Sequence, residues 1–197
     1  RLFVSKYSYG YSRHSLPFSP KIYDGRIFEK IPQKGDVIVF KTPADNRTDY
    51  IKRLIGLPGD VIQIIDGDLH LNNVLIQKKK LEISLNINCG NEVLETNVYE
   101  ETLPNGAKYI VSYRRDGTMK NSDRFIVPEN HYFFMGDNRD CSKDSRYLSS
   151  VGYVNFNNLV GKASIIFFSN NIKIASFLKF WEWHKSLRIE RFFKKIK

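Results

Sequence analysis

Long hydrophobic runs are missing from this 197-residue sequence. No stretch reaches the roughly 18 consecutive apolar residues that a helix needs to cross a bilayer, so nothing in it reads as a helical membrane span. Cysteine is scarce. Cys89 and Cys141 are the only two, too few to make a metal site alone, and their spacing does not say whether their Cα atoms come close enough to pair. Low-complexity tracts and internal repeats are also absent, so a globular chain is expected, and its length suits one domain or one domain with a sizeable insertion. Acidic residues are outnumbered: 21 Asp and Glu against 31 Lys and Arg leave a net charge of +10, which favours an acidic partner such as nucleic acid or an anionic lipid surface. The excess is scattered, with one concentration between Lys179 and Lys197. An initiating methionine is missing too. The chain starts at Arg1 and enters the apolar run Leu2-Phe3-Val4 at once, so a fragment or a processed chain is expected.

What is present is a dense series of turn signals, among them Pro32, Gly35, Pro43, Pro58-Gly59, Pro104-Asn105-Gly106, Pro128, Gly136, Gly152 and Gly161. Between them lie short β-branched and aromatic runs: Val37–Phe40, Val61–Ile65, Tyr109–Tyr113 and Ser164–Phe168. This spacing predicts a mostly β protein. Asp66-Gly67-Asp68 joins two apolar runs as a hairpin turn. From about Ile62 to Arg124 the composition changes, and Lys78 through Glu101 is more polar and less patterned. The expected organisation is therefore a discontinuous core of residues 1–60 and 129–170, an inserted β-rich subdomain at 61–128, and a basic, aromatic tail at 171–197. Trp181, Trp183, Phe192 and Phe193 are mixed there with lysines and arginines, and the tail is read as helical.

Two constellations could carry chemistry. The first runs from Asp49 to Asp60 (DYIKRLIGLPGD). On a strand, Tyr50, Lys52 and Leu54 face one side and Ile51, Arg53 and Ile55 the other, so either way a basic residue lies in an apolar neighbourhood. The plain account is a pair of snorkelling side chains with wet heads. The sharper one is a lysine kept neutral as a general base, with desolvation pulling its pKa down from about 10.4 toward neutrality. Folds keep such a group to activate a hydroxyl nucleophile. The second constellation is Met135 through Arg146 (MGDNRDCSKDSR). Its plain account is a well-bonded loop after a strand. A calcium loop built on Asp137, Asp140 and Asp144 is a rival, but it lacks the expected spacing and terminal glutamate.

Taken together, Gly35–Phe40, Asp49–Asp60, Gly136–Arg146 and Leu159–Ala163 stand in the order and rough spacing of the boxes of bacterial type I signal peptidases, and the chain resembles that family over both ends of its core. The pair YIKR-x-x-G-x-P-G-D and GDNRD-x-S-x-DSR carries the resemblance. The residues between, about a third of the chain, match nothing recognisable and lie where the family tolerates an insertion. The resemblance implies a β-barrel catalytic core and a serine endopeptidase that removes signal peptides from exported preproteins with a Ser/Lys dyad. It implies no cofactor and no metal. Lys52 falls on the general base. Ser142 falls on the serine that orients the lysine, and Asp144 and Arg146 on the pair that holds the loop. Asp49, Tyr50 and Ile51 fall on the strand along which substrate lies extended, and Val39 and Leu2 on the apolar lining of shallow pockets for small side chains, as Ala-x-Ala cleavage sites require. His14, His70, His131 and His184 lie outside the matching motifs.

Two departures follow from the same comparison. Cys141 stands where the family usually has Asn, an exchange that adds a thiol beside Ser142. The family's nucleophilic Ser-Met-x-Pro-Thr element would lie about ten residues before Arg1, so the chain alone is expected to be inactive, and the membrane anchor would also precede it. The implied location is the bacterial cytoplasmic membrane with the catalytic region on its outer, periplasmic side. Preprotein signal peptides and membrane lipids are the expected partners, and a monomer is expected. The tail suits either interfacial lipid binding or a helix closing the core. Two rivals remain: a catalytically inactive relative that binds extended peptides at the same edge strand, and a basic β-barrel that binds nucleic acid, for which no signature appears.

Overall fold

A computed structural model describes residues 2–16, 19–20, 25–166 and 194–195. Sixteen strands follow one another: β1 (Leu2–Ser5), β2 (Tyr11–Ser12), β3 (Arg26–Ile27), β4 (Val37–Lys41), β5 (Asp49–Gly56), β6 (Val61–Ile65), β7 (Asp68–Leu71), β8 (Val74–Leu75), β9 (Gln77–Cys89), β10 (Glu92–Thr102), β11 (Lys108–Arg114), β12 (Phe125–Ile126), β13 (His131–Met135), β14 (Val154–Asn155), β15 (Leu159–Ile166) and β16 (Lys194–Lys195). Short 3₁₀ turns occupy Arg13–Ser15 and Phe156–Asn158. The mostly β expectation is met, with antiparallel pairing throughout the named strands. The tail expected to be helical lies outside the described residues except for β16, whose backbone pairs with β15.

The main sheet runs β1-β15-β4-β5-β13-β14, with β16 also on β15. Among the described residues its hydrogen bonding is an open path that does not close on itself. β4 and β5 lie in the middle of that path, and where β5 (Arg53–Gly56) meets β13 (Tyr132–Met135) both faces are buried. Successive residues of these strands therefore go to opposite sides, as the two-residue period of a strand dictates. Ile38, Phe40, Leu54 and Phe134 enter one apolar cluster with Tyr9, Val151, Val154 and Leu159. Ile55, Phe133 and Met135 enter the other. Each fully buried Phe or Leu contributes about 1.5–3 kcal/mol relative to exposure.

The stretch 61–128 builds two further sheets, β12-β6-β7-β8 and β11-β10-β9. Its Ile62, Ile64, Leu69, Leu71, Tyr109 and Val111 complete the second cluster, so it shares a core with β5 and β13. The turn between β6 and β7 is the hairpin expected from the sequence: Asp66 and Gly67 both have positive φ (50° and 84°), and Ile65 pairs with Asp68. That is the backbone a two-residue primed turn needs. The poorly patterned Lys78–Glu101 stretch is a long β9–β10 ribbon. β11 covers β10 only along Thr96–Thr102, and Ile83, Leu85 and Val93 beyond that cover are exposed. With both faces wet, no alternation is demanded, and none is written.

Candidate active site

Lys52 is placed by the register of β4 and β5, where it sits opposite Ile38. Its neighbours on the same face, Tyr50 and Leu54, lean on the first apolar cluster, so the Lys52 stem runs along the core. Its Nζ donates to Ser142 Oγ across 2.6 Å. Burial lowers the lysine pKa below its ordinary value. The Asp144 carboxylate opposes this, the Arg146 guanidinium adds to it, and Asp137 opposes it more weakly. A neutral amine giving one N–H to Ser142 keeps its lone pair free to take a proton from a hydroxyl brought against it.

The loop bearing Ser142 is folded back on β13. Ser145 N donates to the Phe134 carbonyl at 3.0 Å, and Phe134 N to Ser145 Oγ at 2.9 Å. Asp144 is fully buried. It accepts from Arg146 Nε and Nη2, both at 2.8 Å, and from Gly136 N at 2.9 Å. Arg146 in turn donates to the Arg139 carbonyl. Bidentate pairing of this kind fixes orientation as well as charge. Beneath the loop, Arg53 binds both oxygens of Asp137 at 2.7 Å, donates to the Gly35 carbonyl, and lies over the Tyr109 ring. Glycine at 136 is obligatory: a Cβ there would stand 2.1 Å from Ser142 Oγ.

Two shallow grooves share Ile51 and Lys52. One, of about 340 Å³, is completed by Asp49, Tyr50 and Lys143. The other, of about 310 Å³, is completed by Val37, Arg53 and loop residues that include Asp137, Cys141 and Ser142. Among the described residues, β5 has an open edge next to them. Asp49–Lys52 pair with β4 on one side, whereas β13 pairs only with Arg53, Leu54 and Gly56.

Of the residues singled out by sequence, Lys52, Ser142, Asp144 and Arg146 come together at one point, and Asp49, Tyr50 and Ile51 line the groove beside it. Val39 pairs with Ile51 across the strands and is half-buried, while Val37, two residues earlier, lines the groove. Leu2 pairs by its backbone with Ile166. Cys141 carries no free thiol: it is bonded to Cys89, with Cα atoms 5.3 Å apart. The bond corrects the expectation of an added thiol, and a separation of 52 residues could not foretell it. Sequence reasoning also missed the Arg53–Asp137 pair, although both residues stand inside the motifs. His14 contacts Ser19, and His70 and His131 contact backbone carbonyls. The acidic residues of the calcium-loop alternative take separate partners: Asp137 binds Arg53, Asp140 the Arg114 amide and Thr118, and Asp144 binds Arg146. Among the described residues no helix is long and apolar enough to cross a membrane.

Comparison with known proteins matches residues 1–168 to the family described as "Signal peptidase, peptidase S26". The signal peptidase I of Rickettsia typhi (strain ATCC VR-144 / Wilmington) is 40% identical over 213 aligned residues, which cover 99% of this chain and 78% of that protein. That of Rickettsia canadensis (strain McKiel) is 41% identical with the same coverage, and that of Rickettsia bellii (strain OSU 85-389) 40% identical, covering 100% and 72%. Among solved structures, a signal peptidase I from Enterococcus faecalis V583 aligns at 30% identity over 68% of this chain and 97% of that one, with a TM-score of 0.39.

Proposed function

The chain belongs to the peptidase S26 family of signal peptidases, which cleave signal peptides from preproteins, and on that premise we propose that Lys52 is the general base of a Ser/Lys dyad. The observation that carries the proposal is the half-buried Lys52 amine, 2.6 Å from Ser142 Oγ and depressed in basicity by desolvation. In this reading Ser142 orients the amine, and Asp144 with Arg146 holds the loop that carries Ser142. The attacking hydroxyl is that of a nucleophilic serine brought against the free lone pair of the Lys52 amine. Neutral Lys52 takes the hydroxyl proton as oxygen attacks the scissile carbonyl, then gives it to the departing amine.

Substrate adds as an extended strand along the open edge at Asp49–Lys52, its backbone paired and its small side chains set into the shallow grooves beside Ile51. The setting is the outer face of the bacterial cytoplasmic membrane, where lipids and exported preproteins meet. The disulfide between Cys89 and Cys141 suits an oxidising compartment. The test is cleavage of a preprotein by the intact protein and by its Lys52→Ala and Lys52→Arg variants. Both variants should lose activity by about a thousandfold or more, since arginine cannot be deprotonated. Activity of Lys52→Arg within tenfold of the parent contradicts the assignment.

The open β5 edge favours one second reading, a relative that binds extended peptides without cleaving them. Peptide capture with no product from the intact protein, and capture unaffected by Lys52→Ala, would select it.

A further inference from the structure

Four of the contacts between the stretch 61–128 and the Ser142 loop bear on the position of that loop. Ser112 N donates to the Asp137 carbonyl and Arg139 N to the Ser112 carbonyl, both at 2.9 Å. Arg114 N donates to Asp140 Oδ2 at 2.7 Å. Glu101 and Arg139, both buried, pair bidentately at 2.8 and 2.5 Å, and Tyr109 and Tyr113 hydroxyls cap Glu101 at 2.8 and 2.9 Å. The fourth contact is covalent. Cys89, at the end of β9 where the ribbon turns, is bonded to Cys141, the residue before Ser142.

The first three contacts anchor the loop up to Asp140, and the Asp144–Arg146 pair anchors it again at Asp144. Between these anchors Ser142 bonds Lys52 and Cys141 bonds Cys89. Cys141 also lines the groove shared by Lys52 and Ser142. The bond therefore acts on the short span that shields the amine, and it ties that span to an exposed ribbon.

We propose that the Cys89–Cys141 disulfide is a positioning element for the Lys52–Ser142 pair, holding the loop closed over the amine so that breaking the bond loosens the site without unfolding the core. This rests on Lys52 being the base. A dithiol such as dithiothreitol breaks the bond by exchange: both cysteines become thiols and the reagent closes to its cyclic disulfide. The freed span admits water to Lys52. The charged groups facing that amine are Asp144, Arg146 and Asp137, with Asp49 and Lys143 on the groove beside Tyr50, and Arg53 on the one that holds Ser142, and the first two stay held by their own pairing. Lost desolvation is then the dominant change, and it raises the basicity of the amine.

The experiment measures acylation of the Lys52 amine by acetic anhydride against pH, read by mass spectrometry, in three forms of the intact protein: oxidised, reduced with dithiothreitol, and C89S/C141S. Thermal melts and circular dichroism run alongside. The expected result is a depressed Lys52 titration in the oxidised form and a rise of about one pH unit or more in the other two, a tenfold loss of neutral amine, with a cooperative melt retained. A depressed titration that stays the same in all three forms overturns the positioning role alone. Global unfolding of both altered forms also overturns it, assigning the bond to fold stability. An ordinary lysine titration already in the oxidised protein removes the base assignment, and this inference with it.

Discussion

Gly136 and Ser142 approach so closely that a methyl group on the glycine would meet the serine Oγ at 2.1 Å and the Lys52 Nζ at 3.5 Å. The loop closes over the lysine only because position 136 has no side chain. Gly136→Ala must push Ser142 away from Lys52. It should cost about 1–3 kcal/mol of stability, the usual cost of overpacking, and cut preprotein cleavage by about a hundredfold. Kinetics and a denaturant melt check both. Cleavage within threefold of the parent would show that the loop does not need this closeness.

The Asp144–Arg146 pair holds the far side of the same loop. Asp144→Ala leaves the Arg146 guanidinium buried without its carboxylate and removes the acceptor of the Gly136 amide. Breaking a buried pair in this way costs about 3–5 kcal/mol. Arg146→Ala should cost a similar amount. The double variant should cost less than the sum, because the two side chains serve each other. Urea melts of the three variants supply the cycle, and additivity would deny the coupling.

Lys52 should weaken the fold at neutral pH. Its folded pKa is lowered, chiefly by burial, so its contribution to stability is complete only above the unfolded lysine value of about 10.4 and is lost as pH falls through the folded value. The parent should therefore gain melting temperature relative to Lys52→Met as pH rises toward that limit. Lys52→Met should be at least as stable as the parent near neutrality. A melting difference that does not change with pH would mean the amine is not desolvated.

His14 should give a separate signature at lower pH. Burial first, then Arg13, Lys41 and Arg26, lower its pKa to about 4, with Asp49 opposing. The neutral ring suits the folded state, so its stabilisation is full above the unfolded value of about 6.5 and is lost as pH falls through about 4. His14→Gln should flatten the stability profile in that window while leaving preprotein cleavage near neutral pH intact.

The parts legible in the sequence were those where burial enforces a pattern. β4, β5 and β13 sit between two apolar clusters, so Ile38, Phe40, Leu54, Ile55 and Tyr132–Phe134 had to be apolar, and Asp66-Gly67 had to be a turn. The motif residues Lys52, Ser142, Asp144 and Arg146 are legible through the resemblance of their two motifs to the signal peptidase boxes; the pattern alone reads as a snorkelling lysine and a well-bonded loop. The outer part of the β9–β10 ribbon, beyond β11, was illegible because water on both faces imposes no alternation. Glu101 looked like one more surface charge in that polar stretch, yet it is buried against Arg139. Its partner lies 38 residues away, beyond any local pattern. Arg53 and Asp137 were visible but unassigned, since a two-residue period tells which face a side chain takes and not what waits there.

The most direct test of the base assignment is a titration of the Lys52 amine by NMR, with isotope-labelled lysine in the intact, oxidised protein and Lys52→Met to identify the resonance. The account predicts a transition well below that of the exposed lysines, with a substantial neutral fraction near the pH at which preproteins are cleaved. A Lys52 amine that stays protonated until about pH 10, like a free lysine, would contradict it.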